Sequence, residues 1–250
     1  ISPDLTHISS IKLGLEMMNF DGAGITISLP DNYYGHITQR IFDGKLSFYD
    51  LSLVNFMNIL GYAFYGIYTA AVLISSEISH GSFKNPLSKG IKRSEIFAGK
   101  YFSVFITMIF FCVIHSAITA LCFAVKNGGI SAQGEELFGI ITIKILSILY
   151  LAAFAALITF IAFISDNSGI MAAISSGIFL IFHTALDLLA GYSKNFSQIA
   201  SFWITIRPQE LFIRTVIFDP LLIFSDVLVC VAYIALFYRL GYVVFNNRDF

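Results

Sequence analysis

The sequence is short of charged residues. Only 12% of its 250 residues are Asp, Glu, Lys or Arg, and 57% are hydrophobic, whereas soluble domains carry about 25% charged residues. So few charges could not cover the surface of a water-soluble globule of this length. The formal net charge is −1, which excludes the basic face that nucleic-acid-binding proteins need. We therefore expect a chain that is solvated by membrane lipid and has no nucleic-acid partner.

Cysteine is also scarce, and the usual catalytic motifs are missing. The three cysteines, Cys112, Cys122 and Cys230, lie in apolar runs without the spacing of a zinc site or a disulfide framework. No G-x-x-x-x-G-K-[ST], H-E-x-x-H or G-x-S-x-G motif occurs. We therefore predict no catalytic residue, no cofactor and no metal in this chain. Any ATP-driven work would need another chain to hydrolyse the ATP.

Five stretches are long and apolar enough to cross a bilayer as helices, which takes roughly 20 residues. An outer-membrane barrel would instead show alternating segments of about ten residues. Because lipid offers the backbone no hydrogen-bond partner, an open chain crosses it as a helix. The sequence therefore predicts an all-α, polytopic helical bundle. The predicted spans are 51–75, 101–125, 139–164, 168–190 and 221–245.

The connections differ in charge, and the difference orients the chain. The loop 76–100 has five basic and two acidic residues, whereas residues 1–50 have three basic and six acidic ones. Under the positive-inside rule the loop 76–100 is cytoplasmic. The turn 165–169 and the carboxyl terminus then lie inside as well, and residues 1–50, 126–138 and 191–220 lie outside.

Residues 1–50 form a predicted extracytoplasmic loop region ahead of one transmembrane domain, residues 51–250. Five spans would leave the amino terminus outside, with no signal peptide in view to place it there. We therefore expect a further span before residue 1.

The outer segment 191–220 is too interrupted to span the membrane. It contains two short apolar stretches separated by Arg207 and Pro208. A re-entrant or interfacial helical hairpin fits this pattern, with Trp203 as an interfacial anchor. The alternative is an ordinary amphipathic surface loop.

Ionisable residues gather toward the predicted outer surface. Charge within a membrane is costly and often functional, so these side chains form a predicted outer polar cluster that holds the hairpin or contacts substrate. The alternative is shallow charge that long side chains carry to the interface. The cluster consists of Lys144, Asp187, Arg207, Arg214 and Asp226.

The loop 76–100 carries the most informative pattern. A glycine allows a turn, a proline can begin a short helix, and a second glycine, Gly90, can end that helix. A short helix between two spans can transmit motion from a soluble partner to both, whereas a merely basic loop would only fix orientation. The predicted coupling residues are Glu77, Gly81, Lys84, Pro86, Lys89, Lys92 and Arg93.

At this loop the sequence resembles the ABC-2 type permeases, the membrane subunits of bacterial ABC exporters. That family shows a Glu, a Gly about four residues later, a Leu-Ser/Thr-x-Gly/Pro-x-x-Arg stretch, and Gly-Lys at the next helix. The matching elements here are Glu77, Gly81, Leu87–Arg93, Gly99-Lys100 and a Phe-x-x-Arg-Asp ending at Phe245–Asp249. The resemblance covers roughly residues 50–250, and it departs from the family's six spans by showing five.

The resemblance implies a multi-pass subunit of the bacterial cytoplasmic membrane. It implies pairing with a second permease subunit and with ABC ATPase subunits, which would bind ATP and Mg²⁺. It also implies export of an amphipathic, peptide or lipid-like substrate, as in antimicrobial-peptide export or self-protection.

Two alternatives remain open from the sequence. One is a scaffold or sensor subunit that binds an ATPase without passing cargo. The other is an intramembrane enzyme that uses His115, His183 and Asp187, which would require these side chains to converge on one cavity. Histidines in spans are more often hydrogen-bonded packing residues, and two ligands do not make a metal site.

Overall fold

The computed structural model describes residues 47–57, 59–127, 129, 134–192, 202–206, 208 and 220–248. Within these residues all regular structure is helical and no strand is present. This confirms the predicted all-α fold. The predicted outer region 1–50 and the outer hairpin fall largely outside the described residues, and both stay predictions.

From α1 to α8 the described helices follow one another with short connections. Two of the connections are π-helical, Ala71–Ser75 between α2 and α3 and Gly177–Phe182 between α7 and α8, so that each pair forms one longer rod. The α-helices of the described residues are α1 Phe48–Met57, α2 Ile59–Ala70, α3 Ser76–Ser79, α4 Lys84–Ser88, α5 Arg93–Asn127, α6 Glu135–Ile164, α7 Ser168–Ser176, α8 His183–Tyr192 and α9 Pro220–Asn246.

The described part of the chain contains five helices that are long and apolar enough to cross a membrane. They follow the five predicted spans in order, so the chain is a multi-pass membrane protein. α5 begins at Arg93, before the predicted start at residue 101, because the polar residues ahead of the apolar run continue the helix. These candidate spans are Ile59–Ser79, Arg93–Lys126, Glu136–Ile164, Ser168–Leu186 and Ile223–Asn246.

α6 is the central helix of the bundle. In its apolar stretch 78% of the residues are buried, against 6% in α5 and 11% in α9. α6 contacts α1, α2, α5, α7 and α9. Five of its buried residues are alanines, at 152, 153, 155, 156 and 162. Small side chains let neighbouring membrane helices approach closely, so this alanine-rich stretch explains why the other helices gather around α6.

A glycine allows a close approach between α2 and its neighbours. A Cβ at Gly66 would lie 2.5 Å from Met108 Sδ and 3.2 Å from Ile158 Cδ1. At residue 66, where α2 meets α5 and α6, the hydrogen of glycine fits without displacing Met108, whereas a Cβ would not.

Candidate coupling site

The loop 76–100 is a compact turn with its own short helix. After α3 the chain reverses at Gly81 (φ 66°), and after α4 it reverses again at Gly90 (φ 79°). Both angles lie in the left-handed region that glycine adopts at little cost. Gly90 follows the last residues of α4 in the position where helices commonly end on glycine.

One side of this loop is built into the bundle through Phe83, which has 0% exposure. Its ring centroid lies 6.2 Å from that of Phe163 and 5.6 Å from that of Phe245. Phe97 packs on the same two rings, at 5.2 and 6.2 Å. We call Phe83, Phe97, Phe163 and Phe245 the aromatic cluster. It joins the loop to α5, α6 and α9.

An ion pair crosses the base of the loop. Lys100 Nζ donates to Glu77 Oε1 at 2.6 Å, with 19% and 34% of the two side chains exposed. The same ammonium lies 5.5 Å from the centroid of the Phe83 ring, within range of a cation–π interaction. Glu77 and Lys100 therefore tie the end of the first described span to α5.

Arg93 binds the carboxyl end of α9. Its Nη1 donates to the carbonyl oxygens of Phe245 at 3.1 Å, Asn246 at 2.9 Å and Arg248 at 2.8 Å. The last carbonyls of a helix have no partner within the helix and carry partial negative charge. The Arg93 guanidinium donates hydrogen bonds to these carbonyls, and its positive charge complements their partial negative charge. We call this set of contacts the Arg93 clamp.

Arg248 extends the clamp to the turn between α6 and α7. Its Nη1 donates to the carbonyl of Phe163 at 2.6 Å, and Nη2 pairs with Asp166. In the same turn the Asn167 side chain accepts from Gly169 N at 2.7 Å and caps α7. The loop 76–100, this turn and the carboxyl end therefore lie at one end of the bundle. Their assignment to the cytoplasmic side stays a prediction.

The predicted coupling residues divide between an inner and an outer face. Glu77 and Arg93 make the contacts described above, Gly81 forms the turn, and Pro86 is partly buried. The other three residues, Lys84, Lys89 and Lys92, are exposed, and we call them the basic face. The sequence did not reveal that Phe83, between a serine and a lysine, fixes α4 to the bundle.

The predicted outer polar cluster is only partly within the described residues. Lys144 Nζ donates to Ser116 Oγ on α5 at 2.9 Å, and Asp226 on α9 is 2% exposed. Arg207, Arg214 and the side chain of Asp187 lie outside the described residues. A role for this cluster in binding substrate or hairpin stays a prediction.

Part of the predicted hairpin packs against the bundle. His183 Nδ1 and Thr205 Oγ1 share a buried hydrogen bond at 3.0 Å. Tyr233 OH donates to the carbonyl of Phe202 at 3.3 Å, and the ring of Trp203 lies 4.9 Å from that of Phe182. Residues 202–206 therefore contact both α8 and α9, a contact that no local sequence pattern indicates.

The two span histidines have separate partners. His115 Nδ1 lies 2.7 Å from the hydroxyl of Tyr62, whereas His183 bonds to Thr205. Among the described residues no group of three or more His, Cys, Asp or Glu is placed to hold a metal ion. The side chain of Asp187 lies outside the described residues, so the alternative of an intramembrane enzyme stays a prediction.

The sequence was compared with families of known proteins, and one family matches over nearly its whole length. A model of the ABC-2 family transporter proteins matches residues 6–250. No curated protein and no solved structure matches the chain. The family match extends over nearly all of the sequence, including the loop 76–100 and the carboxyl end that the Arg93 clamp joins. The chain therefore belongs to the ABC-2 transporter family and is a membrane permease of an ABC transporter.

Proposed function

We propose that this permease exports an amphipathic substrate, and that a separate ATPase drives it by binding the basic face. The observation that carries the proposal is the contrast between buried and exposed residues in the loop 76–100. Phe83 fixes one side of the loop in the aromatic cluster, while Lys84, Lys89 and Lys92 are exposed on the other. The lysines offer three positive charges to an acidic partner surface.

The inner face of the loop explains how movement of the ATPase would reach the membrane. The pair Glu77–Lys100 ties the loop to α5, and the Arg93 clamp ties it to α9. A displacement of α4 would therefore act on the first described span, α5 and α9 together. Charged hydrogen bonds hold a fixed geometry better than apolar contact alone.

In this proposal the ATP and Mg²⁺ belong to the partner chain. Two ATPase subunits would serve two permease subunits, and closure of the ATPases would push on both loops. The loop 76–100 and the carboxyl end would face the cytoplasm of a bacterial cell, and residues 1–50 would face outside.

The proposed substrate is a peptide or lipid-like amphiphile. The support is the apolar surface of α5, on which large side chains are exposed along most of the span. This surface suits contact with lipid, with a second permease subunit, or with an amphipathic cargo passing between the two. The exposed residues include Phe102, Ile106, Phe110, Ile118 and Leu121.

The test is copurification of the ATPase with charge-reversed permease. The full-length chain is coexpressed with the ATPase encoded beside it, and Lys89→Glu with Lys92→Glu is compared with Lys126→Glu. Lys126 is also exposed but lies at the other end of α5. We expect the double variant to lose about tenfold or more in ATPase affinity, since like charges replace complementary ones.

The Lys126→Glu control should retain the ATPase at the wild-type level. Equal recovery from the double variant and the wild type would contradict binding at the basic face. Candidate peptides and lipids can then be screened for stimulation of ATP hydrolysis by the wild-type complex in lipid, and a complex stimulated by none of them would count against the proposed substrate class.

A further inference from the structure

A groove with a cavity volume of about 390 Å³ lies between α5 and α6. Its volume falls in the range of small ligand sites. Val113 on α5 and Ile148 on α6 line it and are 59% and 49% exposed. The groove therefore opens on the lateral surface of the described bundle, among apolar side chains of the kind that contact lipid.

Lys144 lies at one end of the groove. Lys144 Nζ donates to Ser116 Oγ at 2.9 Å, which uses one of the three donors of an ammonium group. Among the described residues no carboxylate forms an ion pair with it. Charge within a span usually has a partner of opposite sign, so an anionic group is the ligand this end would take.

The other end of the groove is apolar. α5 and α6 run in opposite directions, so Ser116 and Lys144 lie at the same end. Seven residues further into the bundle the lining is Ile109 on α5 and Leu151 on α6, about 10 Å away at 1.5 Å per residue. Lys144 thus lies at the end of the groove that is closer to the helix termini, and the apolar residues lie at the end toward the middle of the membrane.

The depth of Lys144 fits the boundary between headgroups and hydrocarbon. It lies eight residues into the candidate span that starts at Glu136, or about 12 Å along the helix. The headgroup region accounts for roughly 5–8 Å on each side of the bilayer. A lysine just below this region can extend its ammonium toward it.

We propose that this groove binds an anionic membrane phospholipid. The headgroup phosphate accepts hydrogen bonds from Lys144, and one acyl chain lies along Val113 toward Ile109 and Leu151. A net negative lipid is favoured over a zwitterionic one because the latter carries its own cation, which competes with the lysine for the phosphate. The site is independent of ATPase binding at the basic face.

The experiment measures lipid retained by the purified full-length permease. The protein is equilibrated with equal amounts of phosphatidylglycerol and phosphatidylcholine in mild detergent, and bound lipids are counted by native mass spectrometry. We expect Lys144→Met to lower the ratio of bound phosphatidylglycerol to phosphatidylcholine by about tenfold, since charged hydrogen bonds are lost. Lys144→Arg should retain most of the preference.

Two further variants separate this site from general effects. Lys126→Met removes an exposed lysine at the same end of the bundle and should leave the ratio at the wild-type value. Val113→Trp fills the groove without changing its charge and should reduce retention of the anionic lipid. Size-exclusion chromatography and circular dichroism show whether each variant has folded.

Three results would overturn the proposal. The first is equal retention of the two lipids by the wild type. The second is the same loss of preference in Lys126→Met as in Lys144→Met. The third is a wild-type protein that holds no lipid at Lys144 because a second copy or another protein segment covers the groove, which cross-linking from position 113 would detect.

Discussion

Replacing Arg93 by methionine should lower the stability of the fold. It should also weaken the coupling of substrate transport to ATP hydrolysis. The variant keeps the length of the side chain but removes the donor that binds three carbonyls, at 3.1, 2.9 and 2.8 Å. Hydrogen bonds to charged groups contribute about 1.5–3 kcal/mol each when they are well buried. Here Asn246 is exposed and Arg93 is partly exposed, so water can replace much of the clamp. We expect a total loss of about 1–2 kcal/mol.

Thermal unfolding of the purified protein measures the first effect. A loss of that size lowers the Tm by about 2–8 °C for a chain of this length. The second effect is measured as substrate transported per ATP hydrolysed in the reconstituted complex. We expect this ratio to fall while the ATPase remains bound, because Arg93→Met leaves the basic face unchanged.

Two further variants calibrate the result. Arg93→Lys keeps the charge on a shorter side chain without the planar guanidinium, so we expect intermediate values. Arg239→Met removes an exposed arginine from α9 and should behave like the wild type. The reasoning would be refuted if Arg93→Met matched Arg239→Met in both Tm and transport per ATP.

Three other experiments test the packing of the loop and the bundle by thermal unfolding. A double-mutant cycle of Glu77→Gln and Lys100→Met should give a coupling energy of about 0.5–1 kcal/mol, because the pair is partly exposed. Gly66→Ala should cost about 1–3 kcal/mol through overpacking against Met108, and adding Met108→Ala should make the alanine at 66 better tolerated. Gly81→Ala should cost about 1–2 kcal/mol, since its φ is in the left-handed region.

Gly99→Ala is the matched control for both glycine substitutions. A Cβ at Gly99 meets nothing within 4 Å, and alanine favours a helix by about 1 kcal/mol, so this variant should be as stable as the wild type or more so. A similar gain for Gly66→Ala would contradict the close packing inferred there. A tolerated Gly81→Ala would contradict the turn, and additive effects of Glu77→Gln and Lys100→Met would show that the pair contributes nothing.

The number and order of the described spans could be predicted from apolar runs alone. Lipid cannot hydrogen-bond to the backbone, so a long apolar run in an open chain has few alternatives to a helix. The short helix α4 could be anticipated from Pro86 and Gly90, since both act through local backbone geometry. Apolar runs and the backbone geometry of proline and glycine depend only on residues that are close together in the chain. They can therefore be recognised in a single sequence.

The inner face of the coupling site could not be predicted in this way. Arg93 contacts residues that lie 152 to 155 positions away in the chain. It carries the same positive charge as Lys92 beside it. Composition indicates that the loop is basic, but it does not show which basic group turns inward. Only the packing of α9 against α5 and α6 decides this, and the same holds for the burial of Phe83.

The most direct test of the account is site-specific photocross-linking of the intact transporter. A photoreactive amino acid is placed at Lys89 on the basic face, or at Lys126 at the other end of α5, and the complex is irradiated in the membrane. We expect a covalent adduct between the permease and its ATPase from position 89 and none from position 126. An adduct from position 126, with none from position 89, would contradict both the basic face as the ATPase site and the assignment of the loop to the cytoplasm.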